Sequence, residues 1–80
     1  MLVNEKELKK KREWFERSYA SIKNDGGYFV YVQVASAAIW TTSYGFRGDD
    51  KTVFLFSKDA LGNDTLVAIV YNIMDIEDVY

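Results

Sequence analysis

Thr52–Ser57 reads T-V-F-L-F-S and Thr65–Ile73 reads T-L-V-A-I-V-Y-N-I. A strand alternates its side chains between two faces. In the first stretch Val53 and Leu55 point one way and Phe54 and Phe56 the other. In the second, Leu66, Ala68 and Val70 oppose Val67, Ile69 and Tyr71. A half-buried strand alternates apolar with polar residues, whereas these two are apolar on both faces and belong to a sheet covered on both sides. The chain supplies one helix, which covers one side. The second side must close on itself as a barrel or be covered by another chain.

The helix is the segment before the strands, about 4–24. Asn4 followed by Glu7 predicts a capping box, and Val3 with Leu8 the matching hydrophobic staple. Leu8, Phe15, Tyr19 and Ile22 fall within about 60° of arc and form a narrow core-facing stripe. Trp14 lies at its edge, either flanking the core or exposed, while Lys9, Lys10 and Arg12 face water. Asn24-Asp25-Gly26-Gly27 ends the helix, because glycine takes the left-handed position past the last turn without a Cβ penalty.

The remainder reads as strand. Tyr28–Val34 and Ala37–Phe46 are rich in aromatic and β-branched residues. In the second of these, strict alternation puts Trp40, Thr42 and Tyr44 on one face and Ile39, Thr41 and Ser43 on the other. The join at Ala35-Ser36-Ala37 lacks Gly, Pro, Asn and Asp, so it fits a sharp turn or a bend. Gly45–Asp50 is a loop, Lys58–Asp64 a hairpin connection, and Met74–Tyr80 a turn or a short strand at about 76–80. The expected architecture is one α+β domain over 1–80. Its helix packs on a four- to five-stranded antiparallel meander (28–34, 37–46, 52–57, 65–73 and 76–80), with curling into a small barrel as one means of closure.

Composition narrows the function. The 80 residues contain no Cys and no His, removing disulfides, thiolates, the usual zinc ligands and the commonest general base. Apolar content of 49% with 16% aromatic residues excludes disorder. No secretory leader pattern and no membrane-length apolar run is evident, so the expected setting is the cytoplasm, that of a host cell if the chain is viral. Serines and threonines have no histidine to activate them. Asp49, Asp50, Asp59 and Asp64 sit in loops, where aspartate ordinarily bonds its own backbone. Calcium-loop spacing and a phosphate-binding glycine loop are both absent. The expectation is a non-enzyme without metal or cofactor.

Charge is polarised. Residues 1–23 carry seven Lys/Arg against four Glu, a net of +3, and residues 24–80 carry three against eight Asp/Glu, a net of −5. Lys9, Lys10, Lys11 and Arg12 are interleaved with Glu5, Glu7, Glu13 and Glu16, as in a solvated helix with i,i+4 pairs. With a pI near 5, direct nucleic-acid binding is disfavoured.

Thr42-Ser43-Tyr44, Asp49-Asp50, Val53-Phe54-Leu55-Phe56 and Asp59-Ala60 follow one another between Ser36 and Ala60. This third of the chain resembles the core of the phage uracil-DNA glycosylase inhibitor family, whose members are small, acidic, cysteine-free proteins that imitate DNA. The resemblance implies an α/β fold class and an inhibitor's way of acting. It does not carry over the glycosylase-binding residues, because Tyr28–Val34 contains no acid and no second helix fits between Val34 and Ile39.

The functional expectation is a protein-binding protein, an inhibitor or modulator of a larger nucleic-acid-processing or defence enzyme of the phage type. The alternatives are a self-assembling accessory subunit and a barrel that binds single-stranded nucleic acid. The expected contact surface is Trp40, Tyr44 and Phe46 beside the acidic loop residues Asp49 and Asp50, since aromatics anchor interfaces and flanking charge sets partner choice.

Overall fold

The structure, a computed structural model, describes residues 4–80. One helix, α1 (Glu5–Asn24), precedes six antiparallel strands: β1 (Val30–Val34), β2 (Ala37–Thr41), β3 (Ser43–Phe46), β4 (Val53–Lys58), β5 (Asp64–Val70) and β6 (Ile76–Val79). A single 3-10 turn, Ile73–Asp75, links the last two. The strands form two three-stranded sheets with orders β2-β1-β6 and β3-β4-β5, so the fold is α+β. It is not a closed barrel: among the described residues β5 and β6 do not pair, and each ends its sheet.

Both helix ends form much as the sequence requires. Asn4 Oδ1 accepts the Lys6 N–H at 2.9 Å, while the Glu7 N–H goes to the Asn4 carbonyl at 3.0 Å. The cap is therefore asparagine at the expected residue, bonded one position earlier than in a capping box. The staple partner Val3 lies outside the described residues. At the other end Gly26 (φ 88°) donates to the Lys23 carbonyl and Gly27 to the Ile22 carbonyl, each at 3.0 Å. This double bond pattern is the Schellman closure. A Cβ on Gly27 would meet Ile22 Cγ2 at 2.7 Å, while Gly26 is favoured by its left-handed backbone alone.

The strand expected over 37–46 is two strands in two sheets. Thr42 interrupts it; its N–H donates to the Phe56 carbonyl at 2.8 Å, turning the chain from β2 beside β1 onto β3 beside β4. The interruption also shifts the alternation. Thr41 is fully buried and Tyr44 and Phe46 are half-buried against the core, whereas Trp40 is exposed. Strict alternation put Trp40 and Tyr44 on one face; the bend at Thr42 puts them on opposite faces.

The concave side of the curled sheets holds the core. Phe15 and Tyr19 from α1 pack with Val30 and Val32 of β1, Val53 and Leu55 of β4, Val70 of β5, and Ile73, Ile76 and Val79. Trp14 flanks this cluster rather than entering it. The strand expected to run through Ile73 stops at Val70, because Asn72 caps the 3-10 turn by accepting the Met74 N–H at 3.0 Å. Ile73 then plugs the core, its N–H bonded to the Lys51 carbonyl at 2.7 Å. The turn carries the chain to β6, which pairs with β1 rather than with β5.

The join left open by the sequence is a two-residue hairpin turn. Ala35 and Ser36 adopt φ 50° and 66°, between the paired Val34 and Ala37. Positive φ at both central residues is the type I′ geometry, which favours Asn-Gly. Replacing Ala35-Ser36 by Asn-Gly should stabilise the protein by about 1–2 kcal/mol. That gain should raise the thermal midpoint by several degrees, and an unchanged or lower midpoint in calorimetry would refute the turn assignment. Thr42 Oγ1 is buried without a hydrogen-bond partner. Thr42→Val, which replaces that hydroxyl by a methyl, should therefore stabilise by about 1 kcal/mol in urea titration.

Candidate functional site

The residues expected to form one contact surface divide into two groups. Tyr44 and Phe46 turn toward the helix, where Tyr44 meets Phe15 edge-on at 4.9 Å and Tyr19 at 4.7 Å, and Phe46 meets Phe15 at 6.0 Å. Burial raises the Tyr44 hydroxyl pKa, with the Glu16 carboxylate adding to the effect. These two rings belong to the packing of α1 on β3 and stay half-buried.

The acidic loop is likewise tied to the fold. Asp49 accepts the Lys51 N–H at 3.0 Å, the Thr52 N–H at 2.9 Å and the Thr52 hydroxyl at 3.1 Å. Asp50, at φ 57°, forms an ion pair with Arg12, whose guanidinium lies 4.0 Å above the Phe46 ring and also bonds Glu16 at 2.6 Å. Asp49 and Asp50 face α1 across a groove of about 530 Å³ between helix and loop, lined also by Leu8, Lys9, Arg12, Glu13 and Glu16. Within it Arg12 pairs with both Glu16 and Asp50. Arg12, read from the sequence as a water-facing residue, is the latch between helix and loop.

Trp40 lies elsewhere, on the convex face of the β2-β1-β6 sheet. It pairs with Tyr31 across β1 and β2 and is 57% exposed. Ring contacts run from Tyr28 to Phe29 (4.8 Å), Phe29 to Trp40 (5.6 Å), Trp40 to Tyr31 (5.4 Å) and Tyr31 to Tyr80 (5.5 Å, nearly parallel at 14°). The Tyr80 hydroxyl donates to Gln33 at 3.0 Å, and its backbone exchanges two hydrogen bonds with Tyr31. Five aromatic side chains therefore form one contiguous row on an open sheet face. Sequence reasoning found Trp40 but not the row. Tyr31 and Trp40 were legible as facing strands, whereas Tyr80 joins only because β6 pairs with β1. Asp78, paired with Gln33, lies beside the row, with Lys23 over the Tyr28 ring at 5.8 Å at the far end.

The other loop aspartate, Asp59, closes the β4–β5 turn by accepting the Leu61 and Asn63 N–H groups, both at 2.9 Å. Asp64 pairs with Lys58 at 3.1 Å. Among the described residues no group of three or more acidic side chains is placed to hold a metal ion. Likewise no helix there is long and apolar enough to cross a membrane. Tyr19 and Thr41 form a buried polar pair at 2.8 Å; Thr41 in turn donates to the Val30 carbonyl at 2.8 Å, and burial raises the Tyr19 pKa. This relay satisfies core hydroxyls and has no opening to substrate. Compared with family models, curated proteins and solved structures, the chain matches none.

The backbone hydrogen bond from Thr52, with that from Lys51, holds the Asp49 carboxyl below its ordinary pKa. A carboxylate with a depressed folded pKa contributes stability that is complete above its unfolded pKa, about 3.9, and is lost as pH falls through the folded value. Asp49→Ala should therefore destabilise at pH 6, and the gap to the parent protein should narrow as pH falls below about 3.9. A gap in urea midpoint that stays constant across this range would refute the role of ionised Asp49.

Proposed function

We propose that this protein is a non-enzymatic binding module that recognises another protein through the aromatic row Tyr28, Phe29, Trp40, Tyr31 and Tyr80. We further propose that it acts as an inhibitor or modulator of a larger nucleic-acid-processing or defence enzyme, in the cytoplasm, as phage proteins of this size do. The observation that supports the reading is the row itself. Burying an exposed tryptophan and its tyrosine neighbours is the commonest source of binding energy at protein interfaces. Monomeric surfaces rarely leave such a contiguous apolar patch without a use.

The setting of the row favours protein over nucleic acid. A single-strand binder lines its stacking platform with cations. Here Asp78 borders the rings, while Arg12 is engaged with Glu16, Asp50 and Phe46 and Lys11 with Trp14, away from the row; Lys23 stands over Tyr28 at one end. Asp49 and Asp50 are set aside as contact residues in this reading, because one caps a turn and the other latches the helix. Charge reversal there would disturb the loop as well as any partner.

Trp40→Ala should retain the parent's thermal midpoint within a few degrees, since the indole is more than half exposed. It should also weaken capture of the partner from a lysate by about 30-fold or more, a loss of roughly 2 kcal/mol. Capture unaffected by Trp40→Ala and Tyr31→Ala would refute the site. Tight, salt-sensitive binding of single-stranded DNA by the parent would refute the class.

A further inference from the structure

The aromatic row has a polar neighbour on the same face. Pairing of β2, β1 and β6 sets Trp40 beside Tyr31 and Tyr31 beside Tyr80. Two residues along each strand, it sets Ala38 beside Gln33 and Gln33 beside Asp78. Both lines point outward, because Ile39, Val32 and Val79 between them turn into the core. The Tyr80 hydroxyl reaches Gln33 at 3.0 Å, joining one line to the other. The rings therefore stand as a wall about 7 Å from a lower line that shrinks to a methyl at Ala38 and ends in a carboxylate at Asp78. The trough beside the wall spans two strand spacings, about 10 Å.

Asp78 is the charge this trough leads to. Its Oδ1 accepts the Val79 N–H at 2.8 Å, and among the described residues no cation pairs with it. Adjacent Glu77, the extra residue of the β6 bulge, instead accepts the Ser36 N–H at 3.3 Å at the β1–β2 turn. The cation of this face, Lys23, stands at the other end of the row over Tyr28.

We propose that the partner protein seats an arginine in this trough, its stem over Ala38 and along the ring wall, its guanidinium against Tyr80 and paired with Asp78. The proposal rests on the reading of the aromatic row as the partner surface and names the chemistry that the surface takes. An arginine side chain is an apolar stem ending in a planar, weakly hydrated cation that stacks on aromatic faces and pairs in a fork with a carboxylate. Lysine ends in a compact, strongly hydrated point charge and gains less from the rings. An apolar side chain would cover Asp78 without pairing it, and an acidic one would meet a like charge. The protein already holds one guanidinium this way: Arg12 lies 4.0 Å above the Phe46 ring and pairs with Asp50 and Glu16. Tyr80 and Asp78 repeat that combination of ring and carboxylate on the surface, where no described cation reaches it.

The probe is the end-blocked peptide Gly-Gly-Arg-Gly-Gly, with its lysine and citrulline analogues, titrated into the isotope-labelled full chain and followed by NMR. Citrulline keeps the shape of arginine and removes its charge. The arginine peptide should shift the Trp40 indole and the Gln33, Asp78 and Tyr80 amides with a Kd of about 1 mM, leaving the Trp14 indole unmoved. The lysine peptide should bind about 5-fold and the citrulline peptide at least about 10-fold more weakly. Asp78→Asn, which keeps an oxygen for the Val79 N–H, should weaken arginine binding about 10-fold, and Ala38→Leu, which fills the trough, should do the same. Both positions are exposed, so circular dichroism and thermal midpoint should stay those of the parent. Asp64→Asn, on the other sheet, should bind the arginine peptide as the parent does. Both trough variants should also weaken capture of the partner protein. A parent that shows no shifts at about 10 mM arginine peptide would overturn the inference. So would citrulline binding as well as arginine, or an arginine affinity unchanged by Asp78→Asn or by Ala38→Leu. Capture lost in Trp40→Ala but kept in both trough variants would overturn the arginine site and leave the row standing. Capture untouched by all three would overturn the row and the arginine site with it.

Discussion

One helix can cover one face of a sheet, and every other feature of this protein follows from that limit. Phe15, fully buried, touches Tyr19, Tyr44 and Phe46, and so joins α1 to the far sheet. Val30, Val32, Val53 and Leu55 close around the same helix from below. Two sheets that curl over one helix bury their concave side thoroughly. Their convex side has nothing within the described chain to cover it. The apolar residues there, among them Trp40, Leu66, Val67 and Ile69, consequently stay exposed.

Thr42 decides how those surfaces are distributed. By breaking one long strand into two, it lets β2 stay with β1 while β3 joins β4, and it reverses which residues face inward. Tyr44 and Phe46 pack half-buried against the helix, and Trp40 becomes surface. A buried hydroxyl without a partner at this position is the local cost of the bend. The Arg12 guanidinium, stacked on Phe46 and paired with Asp50 and Glu16, then fastens the following loop to the helix. The acidic loop is thereby held to this protein's own helix instead of standing free for a partner.

The two exposed surfaces differ in chemistry. The β2-β1-β6 face offers stacked and edge-on rings with Asp78 beside them. The outer side of β5 offers the aliphatic side chains of Leu66, Val67 and Ile69.

The sequence by itself determined the helix, its asparagine cap and its glycine stop, because those depend on residues within a few positions of one another. It also determined that two strands are apolar on both faces, since alternation with period two is local. It found Asp49 and Asp59 as turn residues for the same reason. Tertiary structure alone decided the turn at Ala35-Ser36, where two residues with no turn preference are forced to positive φ by the pairing of β1 with β2. It alone decided the break at Thr42, the passage of Ile73 into the core and the pairing of β6 with β1. The aromatic row depends on that last pairing, which brings Tyr80 against Tyr31, 49 residues apart in the chain. Local propensity specifies elements; which face of an element meets water is set by what the remaining elements can reach and cover.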